Sequence, residues 1–251
     1  MANFDFYGDY HTHTTFSHGK GSVRDNVRVA WEKGLKEIAI TDHGLKHVIF
    51  GLRERKIPSL RAQIDEAMAE FPGVNVLLGV EANVCGRRGN VDVRDGQREL
   101  FELIIGGYHK AVYMNRLSEY FTLHLNSVFE KVTGRATKKM IARNTDALIR
   151  AVERFPLAVL THIGYGLSVE PVPVAECCAQ YGTLLELNGK RVNMTDKQFE
   201  EVLKTDVEFI VNSDAHVSEN VGNFTLGASY VERYDIAHRV ANIGKRPNFR
   251  R

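Results

Sequence analysis

Seven short apolar runs separated mostly by helical segments constrain this chain more than any other feature. The runs read as buried strands over Phe4–Tyr10, Lys36–Thr41, Val74–Val80, Phe101–Ile105, Leu157–Leu160, Thr183–Leu187 and Phe209–Val211. Helical spacing lies between them at Val23–Lys33, Leu60–Phe71, Thr137–Phe155, Val172–Tyr181 and Asp196–Lys204. Strands alternating with helices predict parallel strands joined by crossovers. A closed barrel and an open doubly wound sheet both satisfy that pattern. No Pro/Ser-rich linker, repeat or low-complexity tract divides the 251 residues, so residues 1–251 read as one domain.

One segment breaks the rhythm. Between Met114 and Gly134, apolar residues recur as Leu117, Tyr120/Phe121, His124/Leu125, Val128/Phe129 and Val132, the spacing of an amphipathic helix. It reads as a helical insertion that packs on the core, forms a lid or meets a second subunit.

Composition excludes several classes. Lys+Arg 33 against Asp+Glu 31 leaves +2, too weak a field to mark a dedicated nucleic-acid binder. Three cysteines without a CxxC pair fit neither a disulfide framework nor a thiolate zinc site. There is no apolar run of the ~18 residues a spanning helix needs, and no signal-peptide pattern at the start. The expected compartment is the cytoplasm, and no membrane partner is expected.

The histidines carry the chemistry. His11 and His13 end the first strand at i and i+2, and so face one side of an extended chain. His18 follows in the same loop. His43 comes after the second strand, Glu81 after the third, His109 after the fourth, His162 after the fifth, and Asp214 with His216 after the seventh. An isolated HxH occurs by chance on surface strands, and an isolated Ser-Asp-Ala-His could be a capped turn. Seven of the ten histidines sharing one topological position is a different matter, because in a parallel barrel those strand ends form one face. The nine nitrogen and oxygen donors exceed what one tetrahedral ion can use, so two or three divalent ions are expected; imidazole and carboxylate together suit Zn, Mn or Fe. Three such ions would leave the site at about +4, which favours a phosphorylated, anionic substrate. Ions so held activate water for attack on a phosphoester. No G-x-S-x-G, P-loop or dinucleotide fingerprint offers another route. Gly19-Lys20-Gly21-Ser22 matches only the tail of a P-loop. His47, His124 and His238 lie outside the pattern, with His47 a distant candidate for substrate contact.

In order, Asp-Tyr-His-Thr-His-Thr at 9–14, Ile-Thr-Asp-His-Gly at 40–44, Gly-Val-Glu-Ala-Asn at 79–83, Gly-Tyr-His at 107–109, Leu-Thr-His at 160–162 and Asn-Ser-Asp-Ala-His at 212–216 resemble the motifs of the polymerase and histidinol phosphatase (PHP) family. The subgroup most resembled is the stand-alone bacterial phosphoesterases. The resemblance implies a distorted (β/α)7 TIM-like barrel and a trinuclear metal site. It implies that His11, His13, Glu81 and Asp214 hold one ion, that Glu81, His109 and His162 hold a second bridged through Glu81, and that His18, His43 and His216 hold the third. Glu81, Asp214 and His216 stand as the catalytic candidates. The chain departs from the subgroup in having Ile163-Gly164 after the fifth-strand histidine, where Pro-Gly is usual, and in a longer 114–134 segment.

For substrate binding, Arg87, Arg88, Lys110, Asn188, Lys190 and Arg191 follow strands on the metal-bearing face; Arg suits bidentate phosphate contact. The expected activity is hydrolysis of a small phosphomonoester or nucleotide. An exonuclease-type phosphodiesterase and an amidohydrolase-like metal hydrolase are the alternatives. A nucleic-acid substrate is not favoured, since no aromatic-basic stripe accompanies the near-neutral charge. A homo-oligomer stays open.

Overall fold

The computed structural model describes residues 4–113 and 117–250, with the side chains of 117–122 left out of the description. Seven parallel strands pair in chain order: β1 (Gly8–Thr12), β2 (Glu37–Ile40), β3 (Asn75–Asn83), β4 (Leu103–Gly107), β5 (Val159–Leu160), β6 (Leu184–Asn188) and β7 (Phe209–Asn212). Between and after them run α1 (Val23–Glu32), α2 (Ile57–Glu70), α3 (Leu117–Thr133), α4 (Lys138–Arg154), α5 (Pro171–Tyr181), α6 (Asp196–Val202) and α7 (Thr225–Tyr234). The barrel is the outcome realised, not the open sheet.

The seam between β1 and β7 is closed largely by side chains. Thr12 bridges to Ala215 in parallel, and the His13 N–H donates to the Ala215 carbonyl at 2.8 Å. Asp9 accepts from the Ser213 N–H at 3.1 Å, the Ser213 hydroxyl at 2.5 Å and the Gly222 N–H at 2.9 Å. Lower down, the Asn242 amide donates to the carbonyls of Gly8 and Val211. Buried backbone and carboxylate groups at an imperfect seam are thereby satisfied.

Local chemistry sets the element ends. Ser22 caps α1 in a capping box with Asp25, and Thr195 caps α6 with Gln198. Gly182 in the left-handed region (φ 67°) ends α5. The helix expected from Leu60 starts at Ile57, because Pro58 sits in its first turn, where no N–H is needed.

Two apolar layers hold the fold. An outer core between strands and helices includes Ile38, Ile40, Val76, Leu78 and Val80. A smaller inner cluster fills the barrel: Tyr10, Ala39, Leu77, Leu103, Ile105, Leu184 and Ile210, floored by Phe249 against Tyr10.

The segment expected as an amphipathic insertion does form a helix, α3; residues 114–116, and the side chains of Leu117, Tyr120 and Phe121, fall outside the description. Among its described side chains, the buried ones are not those expected. Leu123 packs with Tyr108, Ala147 and Leu167, and Ser127 is buried, whereas Leu125, Val128, Phe129 and Val132 are exposed.

Candidate active site

Four strands change character along their inward face. Leu77 is followed at i+2 and i+4 by Gly79 and Glu81, Ile105 by Gly107 and His109, Leu184 by Glu186 and Asn188, and Ile210 by Asn212 and Asp214. The period-2 alternation of a strand thus carries polar groups to the C-terminal mouth.

Glu81 stands at the centre, fully buried. Its Oε1 lies 3.2 Å from His11 Nε2, 2.9 Å from His162 Nε2 and 3.1 Å from the Thr161 hydroxyl. Its Oε2 lies 3.0 Å from His43 Nδ1, 3.2 Å from His109 Nε2 and 3.6 Å from His13 Nε2. Five imidazoles therefore share one carboxylate. Asp214 Oδ1 lies 3.5 Å from His13 Nε2, 3.2 Å from His216 Nδ1 and 3.2 Å from Lys190 Nζ.

Four groups of donors are close enough to hold an ion: His11–His13–Asp214, His11–Glu81–His162, His43–Glu81–His109 and His13–His43–His216. Several buried atoms among them, including His11 Nε2, both ring nitrogens of His13, His43 Nδ1 and Glu81 Oε2, lie near other donors of the cluster but make no hydrogen bond of good geometry among the described residues. Unpaired buried polar atoms are costly, and convergent imidazole and carboxylate donors suit divalent cations, so the donor set fits the expected metal.

Electrostatics divide the donors. Burial disfavours a charged His11, but Glu186, Glu81 and Asp214 outweigh it and hold the ring well above the usual histidine range. His162 is likewise raised against burial, chiefly by Glu81. Burial and the neighbouring His43 push His13 well below that range. Burial would raise Glu81 and Asp214, yet the surrounding histidines hold both well below the ordinary carboxylate range.

His162 and Asp214 adopt positive φ, 25° and 52°. Such backbone persists where surrounding contacts impose it, and it clusters at functional sites. At His162 the imposing contact is the N–H donated to Glu186 Oε2 at 2.9 Å.

Glu186 is the residue that reading the sequence misses. It is buried and accepts from His11 Nδ1 at 2.7 Å, from the His162 N–H, from the Asn188 amide at 3.0 Å and from the Asn212 amide at 3.1 Å. By taking the Nδ1 proton it turns His11 Nε2 toward Glu81. The available signal was a lone acid inside the apolar run Leu184-Leu185-Glu186-Leu187.

The other expected residues separate. His11, His13, His43, Glu81, His109, His162, Asp214 and His216 come together. Among the described residues His18 joins no donor group: its exposed ring lines the pocket, stacks on Phe50 at 4.1 Å and lies 5.1 Å from the His216 ring, and His13 takes its place beside His43 and His216. Lys110, Lys190 and Arg191 line a pocket of about 360 Å³ over the histidines, as does His47. Asn188 lies beneath it, donating to Glu186 and to Asp214 Oδ2 at 3.2 Å. Arg87 and Arg88 do not reach the pocket. The Val84–Val91 bridge folds their loop outward, and Gly89 packs so tightly on Arg150 and Ala151 of α4 that no Cβ would fit.

A PHP domain family model matches residues 9–212. The chain belongs to the PHP family. Probable phosphatases of Thermoanaerobacter pseudethanolicus (28% identical, covering 94% of this chain and 91% of the relative) and Shewanella oneidensis (27%, covering 90% and 83%) are similar along nearly the whole length. The fold resembles that of the Lactococcus lactis histidinol phosphate phosphatase, solved with zinc, L-histidinol and phosphate (TM-score 0.65, 18% identity, 94% and 95% covered). The family and these relatives make this PHP protein a hydrolase. None of the helices among its described residues is long and apolar enough to cross a membrane.

Proposed function

We propose that this chain hydrolyses small phosphomonoesters with two or three divalent ions, Zn, Mn or Fe, held by the strand-end histidines. The observation that carries the reading is the Glu81 carboxylate, with five imidazoles around its two oxygens and Asp214 alongside. Divalent ions held there lower the pKa of water toward ~7 and screen phosphate charge.

The chain's own residues do the rest. Glu81 bridges donor groups on either side of it. Asp214 and His216 face the pocket from the β7 end and orient the reacting groups. Lys190, 2.7 Å from His216 Nδ1, puts a cation beside the place where an ester phosphate would lie. Glu186 fixes His11, and Thr161 fixes Glu81. The zinc and phosphate bound by the Lactococcus protein support this assignment. The three cysteines are free and buried, as suits a reducing cytoplasm, where we place the protein.

The test is a panel of phosphomonoesters, phosphodiesters, single-stranded DNA and amides, offered to protein stripped by chelator and reloaded with Mn²⁺ or Zn²⁺. Metal-dependent release of phosphate from monoesters is expected. Turnover confined to diesters or DNA would favour the exonuclease-type alternative, turnover confined to amides the amidohydrolase-like one, and hydrolysis indifferent to chelator would contradict the metal mechanism.

A further inference from the structure

Charge over the pocket is lopsided. The carboxylates lining it, Glu81 and Asp214, are both engaged on its floor by histidines, and Lys190 is paired there with Asp214 at 3.2 Å. Lys110 and Arg191 also line the pocket, and among the described residues neither is in an ion pair with a carboxylate. Arg191 lies over the Tyr165 ring, 4.1 Å from guanidinium carbon to centroid. Lys110 runs along Gly166, so closely that a Cβ there would come 3.3 Å from its Cε. The two cations therefore flank one turn, residues 164–166, with the exposed Tyr165 between them. Beside His162, whose ring Tyr165 meets edge-on at 5.5 Å, this wall of the pocket presents positive charge and, among the described residues, no acid.

An ester phosphate is already served by the floor, where ions and Lys190 supply ample positive charge. The pair on the turn is surplus to it. We propose that the physiological substrate carries a second anionic group, a carboxylate or another phosphate, and that Lys110 and Arg191 receive it. This rests on the phosphoesterase reading above. A substrate bearing an ammonium group, such as a phosphorylated amino alcohol, meets three cations and, among the described residues, no free carboxylate here, and is disfavoured. Opposing electrostatics select between substrates in this way because the wrong one suffers repulsion as well as losing a contact.

The experiment compares kcat/KM for 3-phosphoglycerate, glycerol 3-phosphate and phosphoethanolamine, whose second groups are anionic, neutral and cationic. Metal-loaded wild type and the double variant Lys110→Ala/Arg191→Ala are assayed side by side. Wild type should prefer the anionic over the cationic compound by about 10–100-fold, the range for charge-assisted contacts. In the double variant that ratio should fall to within about threefold. Similar rates for all three compounds in wild type, or a preference for phosphoethanolamine, would overturn the inference while leaving the phosphatase reading intact. An anionic preference that survives in the double variant would overturn the assignment to these two residues. Failure to hydrolyse any of the three, or any other phosphomonoester, would defeat the phosphatase reading and this inference with it.

Discussion

In the lower half of the barrel Leu77, Leu103, Ile105, Leu184 and Ile210 pack into an apolar interior, while two to four residues further along these strands the interior holds Glu81, His109, Glu186 and Asp214. The backbone is continuous and the burial similar, so the difference is in what satisfies each half. The lower half is held by apolar contact, with the Tyr10 hydroxyl as a polar tip within its cluster. The upper half buries charges that would be prohibitive alone, and each is matched by another charge or left facing a shared centre. Stability and function are thus separated along the strands, and that separation can be attacked from either side.

The largest effect is expected at Glu81. Glu81→Gln keeps the shape and removes the charge that five imidazoles share. Metal affinity and kcat/KM should both fall by more than ~100-fold, beyond what is lost when a partner one shell further out is removed. Calorimetric metal titration and steady-state kinetics read this directly. Next comes Ile105→Ala in the lower half, which should cost about 2–5 kcal/mol in denaturant unfolding, while metal bound per folded chain stays unchanged. Loss of metal in that variant would break the separation.

Glu186→Gln should be milder. One acceptor oxygen becomes a donor facing the His162 N–H and the Asn188 amide, so metal affinity should fall about 10–100-fold, equivalent to about 1.4–2.7 kcal/mol.

Acid acts on the same residues. His11 and His162 are raised above the usual range of 6.5, so a metal must displace protons from them. Affinity should fall with pH by about tenfold per unit for each proton released, and loading should acidify a weakly buffered solution. Without metal, those two rings contribute stability that is complete below pH 6.5 and lost as pH rises through their raised values. Glu81 and Asp214 do the reverse: their contribution is present above 4.5 and 3.8 respectively and is lost as pH falls through their lowered values. Unfolding of the metal-free protein across pH 3–9 should therefore show a dome that added metal lifts most on its alkaline side.

His18→Ala should be the smallest effect, no more than a few-fold in kcat/KM. Its ring stands on Phe50 and outside the donor groups. A loss as large as that of Glu81→Gln would restore His18 to the metal site.

The fold and most of the histidine-lined mouth were legible because their signals are local. A strand announces itself by an apolar run, and a residue just beyond it inherits a place at the mouth. His13, His43, His109, His162 and Asp214 could be placed that way. What stayed hidden depends on contacts distant in sequence. Glu186 looks like an interruption in an apolar strand until His11, 175 residues away, is seen donating to it. Arg87 and Arg88 follow a strand like the others, but the turn at Gly89 packs outward on α4. His18 has the right position along the chain, yet Phe50 takes its ring face. In α3 the apolar spacing is real, and only packing shows that Leu123 rather than Val128 or Phe129 meets the core.

Elemental analysis of metal-replete protein, set against accurately measured chain concentration, tests the central claim most directly. At least two divalent ions per chain are predicted, because His43–Glu81–His109 and His11–His13–Asp214 share no residue, and the number should drop to one or none in Glu81→Ala. One ion or none in the wild type, or full occupancy without Glu81, would contradict a shared-carboxylate metal centre.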